Sequence, residues 1–176
     1  MAYNPTIMKF DQATTRNERF STLPQFSLEV GGINGPRLKS ELSRGGVYVY
    51  SWASEMLDSL QRAEKQEQVS IVKFHLRDVG IRDYVSGTEG WNRVVKAVKK
   101  EGLDLCPQLT APEMARLNPD IIGEGEYVDI LSKPIADRDG DQSVFALGRF
   151  GGELKLDSYW TDYGWDPGNL AVARLG

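Results

Sequence analysis

The sequence has a single cysteine and a single histidine, Cys106 and His75, among its 176 residues. One cysteine excludes an intramolecular disulfide, which favours a reducing compartment. Together these two side chains supply only half of a tetrahedral zinc site, and a Cys106–His75 pair is the one thiol nucleophile with a histidine base that the chain allows. We therefore expect no metal and no cofactor, and the sequence identifies no catalytic residue.

Long apolar runs are also missing. No stretch approaches the roughly 18 apolar residues that a membrane helix needs, and residues 1–20 lack the apolar centre of a signal peptide. The net charge of −4 gives no reason to expect nucleic acid as a partner. The sequence predicts a soluble, cytoplasmic protein, a monomer or a homodimer, with no membrane or nucleic-acid partner.

Phosphate-binding loops are the third absence. The glycine-rich words GGING (31–35) and GRFGG (148–152) lack both the lysine of a P-loop and the strand-to-helix setting of a dinucleotide site. No serine lies in a G-x-S-x-G elbow. An enzyme would have to rely on acidic residues, tyrosine or arginine, as many glycoside-cleaving enzymes do.

The elements that are present predict one globular domain over residues 1–176. A short helix is indicated over 11–21, a strand over 24–30, a loop with one helical turn over 31–46, and a central strand over 69–76. Two longer helices are indicated, the first over the later part of 47–67 and the second over 86–102. On the first, an apolar face comprises Trp52, Met56, Leu57, Leu60 and Ala63.

The last third changes from helical to strand periodicity. Three strands are indicated over 125–135, 142–150 and 153–160, separated by DRDGD and GG, and a final short strand over 170–175. Helices first and a meander afterwards predict an α+β domain, with helices packed on a mainly antiparallel sheet and a C-terminal three-stranded meander.

Cys106 lies in the joint between two helices. Gly102 ends the first helix, and Pro107 keeps it from resuming. The pattern Thr110 to Glu113 predicts a capping box at the start of the next helix, and Ser86 to Glu89 predicts one for the preceding helix. Because Cys106 lies outside any helix N-terminus, we expect a buried and chemically quiet thiol.

The same region carries a resemblance. Between Gly102 and Leu156 the sequence contains, in this order, the words GLDLCP, RL, GE, KPI, DG, VFALGR and LKL. This order is similar to that of a group of small, uncharacterised bacterial proteins with an LCP…P…RL…GE…PI…VF pattern. RFSTLPQFSLE and YVYSWASEMLDS, nearer the N-terminus, look similar too. The resemblance implies a free-standing bacterial domain without assigned catalytic residues, of a kind often carried on mobile elements.

Three charged groupings have both functional and structural interpretations. DRDGD (137–141) resembles part of a calcium loop but lacks its closing glutamate, so an ordinary hairpin turn is favoured. Glu124 and Glu126 are paired carboxylates suited to acid–base chemistry, or to a solvated turn. The basic face of the helix over 86–102 is typical of a solvent-exposed surface.

The strongest functional candidate is the aromatic stretch SYWTDYGWDPGN (158–169). Its aromatic rings can stack on a sugar, a base or a partner's side chain, while its carboxylates take polar contacts. Alternatively, its two tryptophans close the open end of the sheet. The sequence thus predicts a non-catalytic binding or interaction domain, with a small acid-based hydrolase or transferase as the alternative. The predicted site comprises Trp160, Asp162, Tyr163, Trp165 and Asp166.

Overall fold

The computed structural model describes Phe20 and residues 22–176. The helix predicted over 11–21 lies outside the described residues. The strands are β1 (Gln25–Val30), β2 (Tyr48–Val49), β3 (Glu67–His75), β4 (Leu103–Asp104), β5 (Tyr127–Ile130), β6 (Ile135–Ala136), β7 (Gln142–Phe150), β8 (Glu153–Trp160) and β9 (Leu170–Leu175). The α-helices are α1 (Gly35–Arg44), α2 (Ser51–Ser59), α3 (Gly87–Lys100) and α4 (Thr110–Leu117). Short 3-10 helices span Leu76–Val79 and Pro119–Ile121.

All nine strands belong to one mixed sheet in the order β1-β3-β9-β5-β7-β8-β2, with β4 paired to β9 and β6 paired to β7. Only β2–β8 and β5–β9 are parallel within the described chain. The fold is therefore α+β with a mainly antiparallel sheet, as predicted. The predicted meander is also confirmed, since β5, β7 and β8 are antiparallel neighbours. The single strand predicted over 125–135 is divided into β5 and β6.

The sheet has an apolar core on each face. Side chains of α1, α2 and α4 pack on one face, whose buried strand residues include Val30, Ile71 and Leu156. Helix α3 packs on the other through Trp91, Val94 and Val98. Buried side chains alternate with exposed ones along β8 near the sheet edge, but β7 is buried over most of its length because both of its faces are covered.

The prediction of a loop with one helical turn over 31–46 is wrong, since this region holds the ten-residue helix α1. The Asn34 side chain accepts a hydrogen bond from the Arg37 backbone N–H at 3.1 Å, and Pro36 occupies the first turn. Leu38 and Leu42 are buried one turn apart. The flanking glycines therefore mark the ends of a helix whose apolar face is only two residues wide.

Both predicted capping boxes are also wrong. The Ser86 side chain makes no cap hydrogen bond, and α4 begins after Leu109, with Thr110 already inside the helix. Glu113 is fully buried and faces Arg116, whose Nη2 lies 2.7 Å from a Glu113 carboxylate oxygen. Because the Glu113 side chain pairs with Arg116 in the core, it does not cap the helix.

Candidate functional site

The candidate site is a cleft of about 300 Å³ beside strand β8, here called the aromatic cleft. Its walls are Trp52 and Met56 from α2, with Trp160 and Tyr163 from the end of β8 and the turn after it. The remaining lining residues are polar: Asp137, Asp141, Ser143, Asp157 and Ser158. The cleft therefore combines exposed aromatic rings with carboxylates.

The sheet edge creates this cleft. Strand β2 pairs with β8 only at Lys155 and Leu156, and the Tyr50 N–H then donates to the Leu156 carbonyl at 3.0 Å. The chain turns into α2 directly afterwards, so β2 covers no part of β8 beyond Leu156. Trp52 and Met56, one helical turn apart on α2, face the space that this departure opens.

The aromatic stretch is held in a fixed shape. The Tyr163 N–H donates to the Trp160 carbonyl at 2.9 Å, closing a tight turn, and the Thr161 N–H donates to Gln142 of β7 at 2.9 Å. The Trp160 and Tyr163 rings meet edge to face, with centroids 5.4 Å apart at 86°. Trp160 is 37% exposed and Tyr163 57%, so both present apolar surface to solvent.

Trp165 does not belong to the cleft, which corrects its prediction as a site residue. It is fully buried in the core beneath α3. Its ring packs against Trp91 and Tyr159 at centroid distances of 5.4 Å and 4.9 Å, and its Nε1 donates to the Thr161 carbonyl at 3.0 Å. The core interpretation of the aromatic stretch therefore holds for Trp165, and the surface interpretation holds for Trp160 and Tyr163.

The two aspartates predicted at the rim do not line the cleft either. Asp162 accepts a hydrogen bond from the Thr88 hydroxyl at 3.2 Å, and its carbonyl accepts one from the Gly87 N–H, which ties the aromatic stretch to the start of α3. Asp166 accepts from the Gly168 N–H at 2.8 Å and shapes the turn before β9. Both residues are exposed and stabilise loop geometry.

The carboxylates of the cleft come from residues that the sequence interpretation assigned to a turn and a strand. Asp137 Oδ1 accepts from the backbone N–H groups of Asp139 and Asp141, each at 2.9 Å, which fixes the hairpin between β6 and β7. The hairpin interpretation of DRDGD is thereby confirmed. Partial loss of hydration, together with the charges of Asp137, Asp139 and Asp162, raises the pKa of Asp141 above its usual range.

Trp52 is the residue that sequence reasoning misplaced. The amphipathic pattern put it on the buried face of α2, but it is 44% exposed and lines the cleft. The residues of α2 that are buried are Ala53, Met56 and Leu57.

A buried carboxyl lies behind the cleft. Asp129 of β5, Ala146 of β7 and Asp157 of β8 form one cross-strand row, so their side chains share a sheet face. Asp157 accepts from the Tyr127 hydroxyl at 3.2 Å and from the Ser158 N–H at 2.8 Å. Asp129 is 1% exposed, and its Oδ1 has no hydrogen-bond partner among the described residues. Burial, reinforced by the charge of Asp157 and opposed by Asn169, raises the pKa of Asp129 to about 8.

The other acidic pair has structural roles. Glu126 lies 2.7 Å from the Lys73 ammonium and accepts from the Gly123 N–H at 2.9 Å. Glu124 accepts from the N–H groups of Gly151 and Gly152, at 2.6 and 3.0 Å, in the turn between β7 and β8. The solvated-turn interpretation fits both glutamates better than acid–base chemistry.

Cys106 is buried, as predicted, in the core beneath α1, α2 and α4. Burial raises the pKa of its thiol to about 12. At pH 7 such a pKa leaves about one thiol in 10⁵ ionised, and the thiolate is the reactive form. We expect a thiol reagent such as Ellman's reagent to label the native protein negligibly in an hour and the urea-unfolded chain completely. Rapid stoichiometric labelling of the folded protein would contradict the assignment.

No group of three or more histidine, cysteine, aspartate or glutamate side chains in the described part of the chain is placed to hold a metal ion. Within the same residues, no helix has the length and hydropathy needed to cross a membrane. Comparison of the chain with models of protein families, with curated proteins and with solved structures found no match.

Proposed function

We propose that the protein is a non-catalytic binding domain whose ligand lies in the aromatic cleft. The observation that carries this proposal is the convergence of Trp52, Trp160 and Tyr163, three partly exposed aromatic side chains from two distant parts of the chain, on one concave site. Exposed aromatic rings on one concave surface favour a binding site, because they have few rotatable bonds and offer contact area to a ligand.

The fixed geometry of the site supports the same function. Trp160 and Tyr163 hold each other edge to face, and backbone hydrogen bonds to Gln142 and within the turn fix the segment that carries them. Asp137 fixes the hairpin on the opposite wall. A site that is already ordered before binding loses little conformational entropy when a ligand arrives, so modest contacts give useful affinity.

An acid-based hydrolase or transferase is the second candidate, and one observation favours it. Asp129 and Asp157 share a sheet face, and burial keeps the pKa of Asp129 near 8, as a general acid requires. However, Asp129 is almost fully buried, and the Asp157 carboxylate shares its sheet face, which is opposite to the face that α2 covers. A general acid must reach the proton acceptor on its substrate, so binding without catalysis ranks first.

The wider setting of this function is also part of the proposal. We place the protein in the bacterial cytoplasm as a monomer or homodimer, following the resemblance of the Gly102–Leu156 words and the single cysteine. The ligand is a small molecule or the side chain of a protein partner rather than nucleic acid, since the lining of the cleft is acidic.

The test is a binding screen followed by one substitution. A library of saccharides, amines and short peptides is screened by ligand-observed NMR, and each binder is titrated against Trp160→Ala and Trp52→Ala. We expect each variant to lose at least about tenfold in affinity, because a stacked aromatic at the centre of a site contributes on that scale. The thermal midpoint of both variants should remain close to that of the wild type.

Phe150→Ala is the matched control, since Phe150 is also partly exposed, at 46%, and lies outside the cleft. It should leave affinity unchanged. Ligands whose binding survives both tryptophan substitutions would place the functional site elsewhere. Turnover of a bound saccharide or ester that Asp157→Asn abolishes would favour the enzyme instead.

A further inference from the structure

We infer that the aromatic cleft binds an organic cation, either an alkylammonium or a guanidinium group, free or as the side chain of a lysine or arginine. This inference rests on the proposed function, because it names the chemistry of the ligand for the same site. Three features carry it: the charge of the lining, the aromatic walls, and a guanidinium that the protein itself places on one wall.

The charge of the lining has one sign. Asp137 and Asp141 line the cleft, and none of its described lining residues is lysine, arginine or histidine. Asp157 also belongs to the lining, but its carboxylate lies with Asp129 on the opposite face of the sheet. Within the described residues, neither the Asp137 nor the Asp141 carboxylate makes an ion pair, and the Asp141 side chain makes no hydrogen bond. Partial loss of hydration raises the pKa of Asp141, and the neighbouring negative charges of Asp137, Asp139 and Asp162 raise it further. An incoming cation is attracted to this site, and an anion is repelled.

The aromatic walls select the kind of cation. A small hydrated metal ion gains little from tryptophan faces, whereas an alkylammonium or guanidinium group combines charge with apolar surface and interacts favourably with the ring quadrupole. Trp52, Trp160 and Tyr163 provide such rings, and Met56 adds a polarizable floor. The combination of rings and carboxylates is the one that cages for organic cations use.

The protein already carries one such contact. The Arg138 guanidinium, at the tip of the β6–β7 hairpin, lies 5.5 Å from the centroid of the Trp52 ring. One Arg138 nitrogen is 3.5 Å from a Glu55 carboxylate oxygen, yet 69% of the side chain is exposed. A weakly held, exposed arginine on the wall of the cleft shows that the Trp52 ring accepts a guanidinium. It also competes with a ligand cation for the same ring.

A neutral saccharide fits the site less well. Stacking on the rings would satisfy its apolar face, but closing the cleft over it would remove water from the Asp137 and Asp141 carboxylates without supplying positive charge. The carboxylates would then oppose binding. The sign of the charge therefore separates the two classes of ligand, and the experiment uses this difference.

The experiment follows the indole N–H signals of the ¹⁵N-labelled full chain, whose four tryptophans divide evenly between cleft and core. The probes are butylammonium and ethylguanidinium as free cations, Gly-Gly-Arg-Gly-Gly as a peptide, and methyl β-glucopyranoside as the neutral comparison. We expect the Trp52 and Trp160 signals to shift with the cations, with dissociation constants of about 1 mM, while the core signals stay fixed. If the peptide binds much more tightly than free ethylguanidinium, the natural ligand is the side chain of a protein partner.

Two substitutions make the result specific. Asp141→Asn should weaken the binding of the cations by about fivefold and leave the binding of the glucoside unchanged, because it removes a charge and no hydrogen bond. Arg138→Ala should increase the affinity for the cations by about two- to fivefold, since it removes a competing cation. The controls are Asp120→Asn and Arg93→Ala, which change exposed residues outside the cleft.

The outcomes separate this inference from the proposed function. If the cleft signals shift with the glucoside and not with the cations, the ligand is not a cation. The proposed function as a binding domain would still stand. Cations that bind equally well to Asp141→Asn and more weakly to Arg138→Ala would overturn it too. If no cation at 20-fold excess over the expected constant moves either cleft indole, the inference falls, and the library screen then decides whether the cleft binds anything.

Discussion

Replacing Trp165 with alanine should lower the free energy of unfolding by about 3 to 5 kcal/mol, the cost of removing a large aromatic side chain from a packed core. Trp165 is the largest fully buried side chain in the described chain. Its removal leaves a cavity between the sheet and α3 that the neighbouring rings of Trp91 and Tyr159 cannot fill without leaving their own contacts.

The loss extends beyond apolar area. The Trp165 N–H and carbonyl both bond to Val85, at 2.7 and 3.1 Å, which fastens the chain after β8 to the segment before α3. The indole Nε1–H of Trp165 also donates a hydrogen bond to the Thr161 carbonyl. An alanine keeps the backbone bonds but leaves that buried carbonyl without its donor, which adds to the cavity cost.

Urea unfolding of the wild type, Trp165→Ala and Trp160→Ala measures this effect. Trp160 is the matched control because it is the same residue type, five positions away, but partly exposed, and its loss should cost about 1 kcal/mol. A cost below about 1.5 kcal/mol for Trp165→Ala would show that the site collapses around the smaller side chain, contrary to the packing described above.

The strands were predictable from the sequence because their signals are local. Alternation in β8, the β-branched run of β3 and the glycine turn at 151–152 each lie within one segment, and the structure confirms them. The position of β9 had no local signal. It lies between β3 and β5, parallel to β5, and a pairing between segments 40 residues apart depends on the packing of the whole domain.

The candidate site was predictable only in part, for the same reason. Trp160 and Tyr163 lie in one aromatic stretch that composition alone identifies. Their partner Trp52 arrives from a helix about a hundred residues earlier, because β2 ends where it does on the edge of β8. Trp165 belongs to the same stretch but points to the opposite side, and a sequence count of aromatic residues cannot separate a ring in the core from one in a cleft.

Asp129 is a further residue that the sequence left unremarked, inside the short word YVDI. Within β5 it is the one acidic side chain, and it is buried between two alanines of the neighbouring strands, Ala146 and Ala171. The two alanines leave room for the carboxyl but give its Oδ1 no hydrogen-bond donor, and this oxygen remains unpaired among the described residues. A buried carboxyl in this environment favours the protonated form.

The contribution of Asp129 to the stability of the protein should therefore fall as the pH rises from about 4 to about 8. Asp129 has a pKa of about 8 in the folded chain, whereas an unfolded aspartate has one of about 3.9. Between these values the native state binds the proton and the unfolded state does not, so each pH unit lowers stability by at most about 1.4 kcal/mol. The penalty is absent below pH 4 and reaches its full size above pH 8, where both states are ionised.

Asp129→Asn removes this titration while keeping the shape of the side chain. The gain in unfolding free energy from the substitution should be larger at pH 8 than at pH 5 by about 2 to 4 kcal/mol, because over that range the wild type must bind a proton at residue 129 to fold and the variant need not. Urea unfolding of both proteins at the two pH values gives this difference, and common contributions from other groups cancel. Asp139→Asn, an exposed aspartate in the β6–β7 hairpin, is the control and should show almost no such difference. An equal gain at both pH values would mean that Asp129 is ionised in the folded chain, with a partner for its charge that compensates for burial.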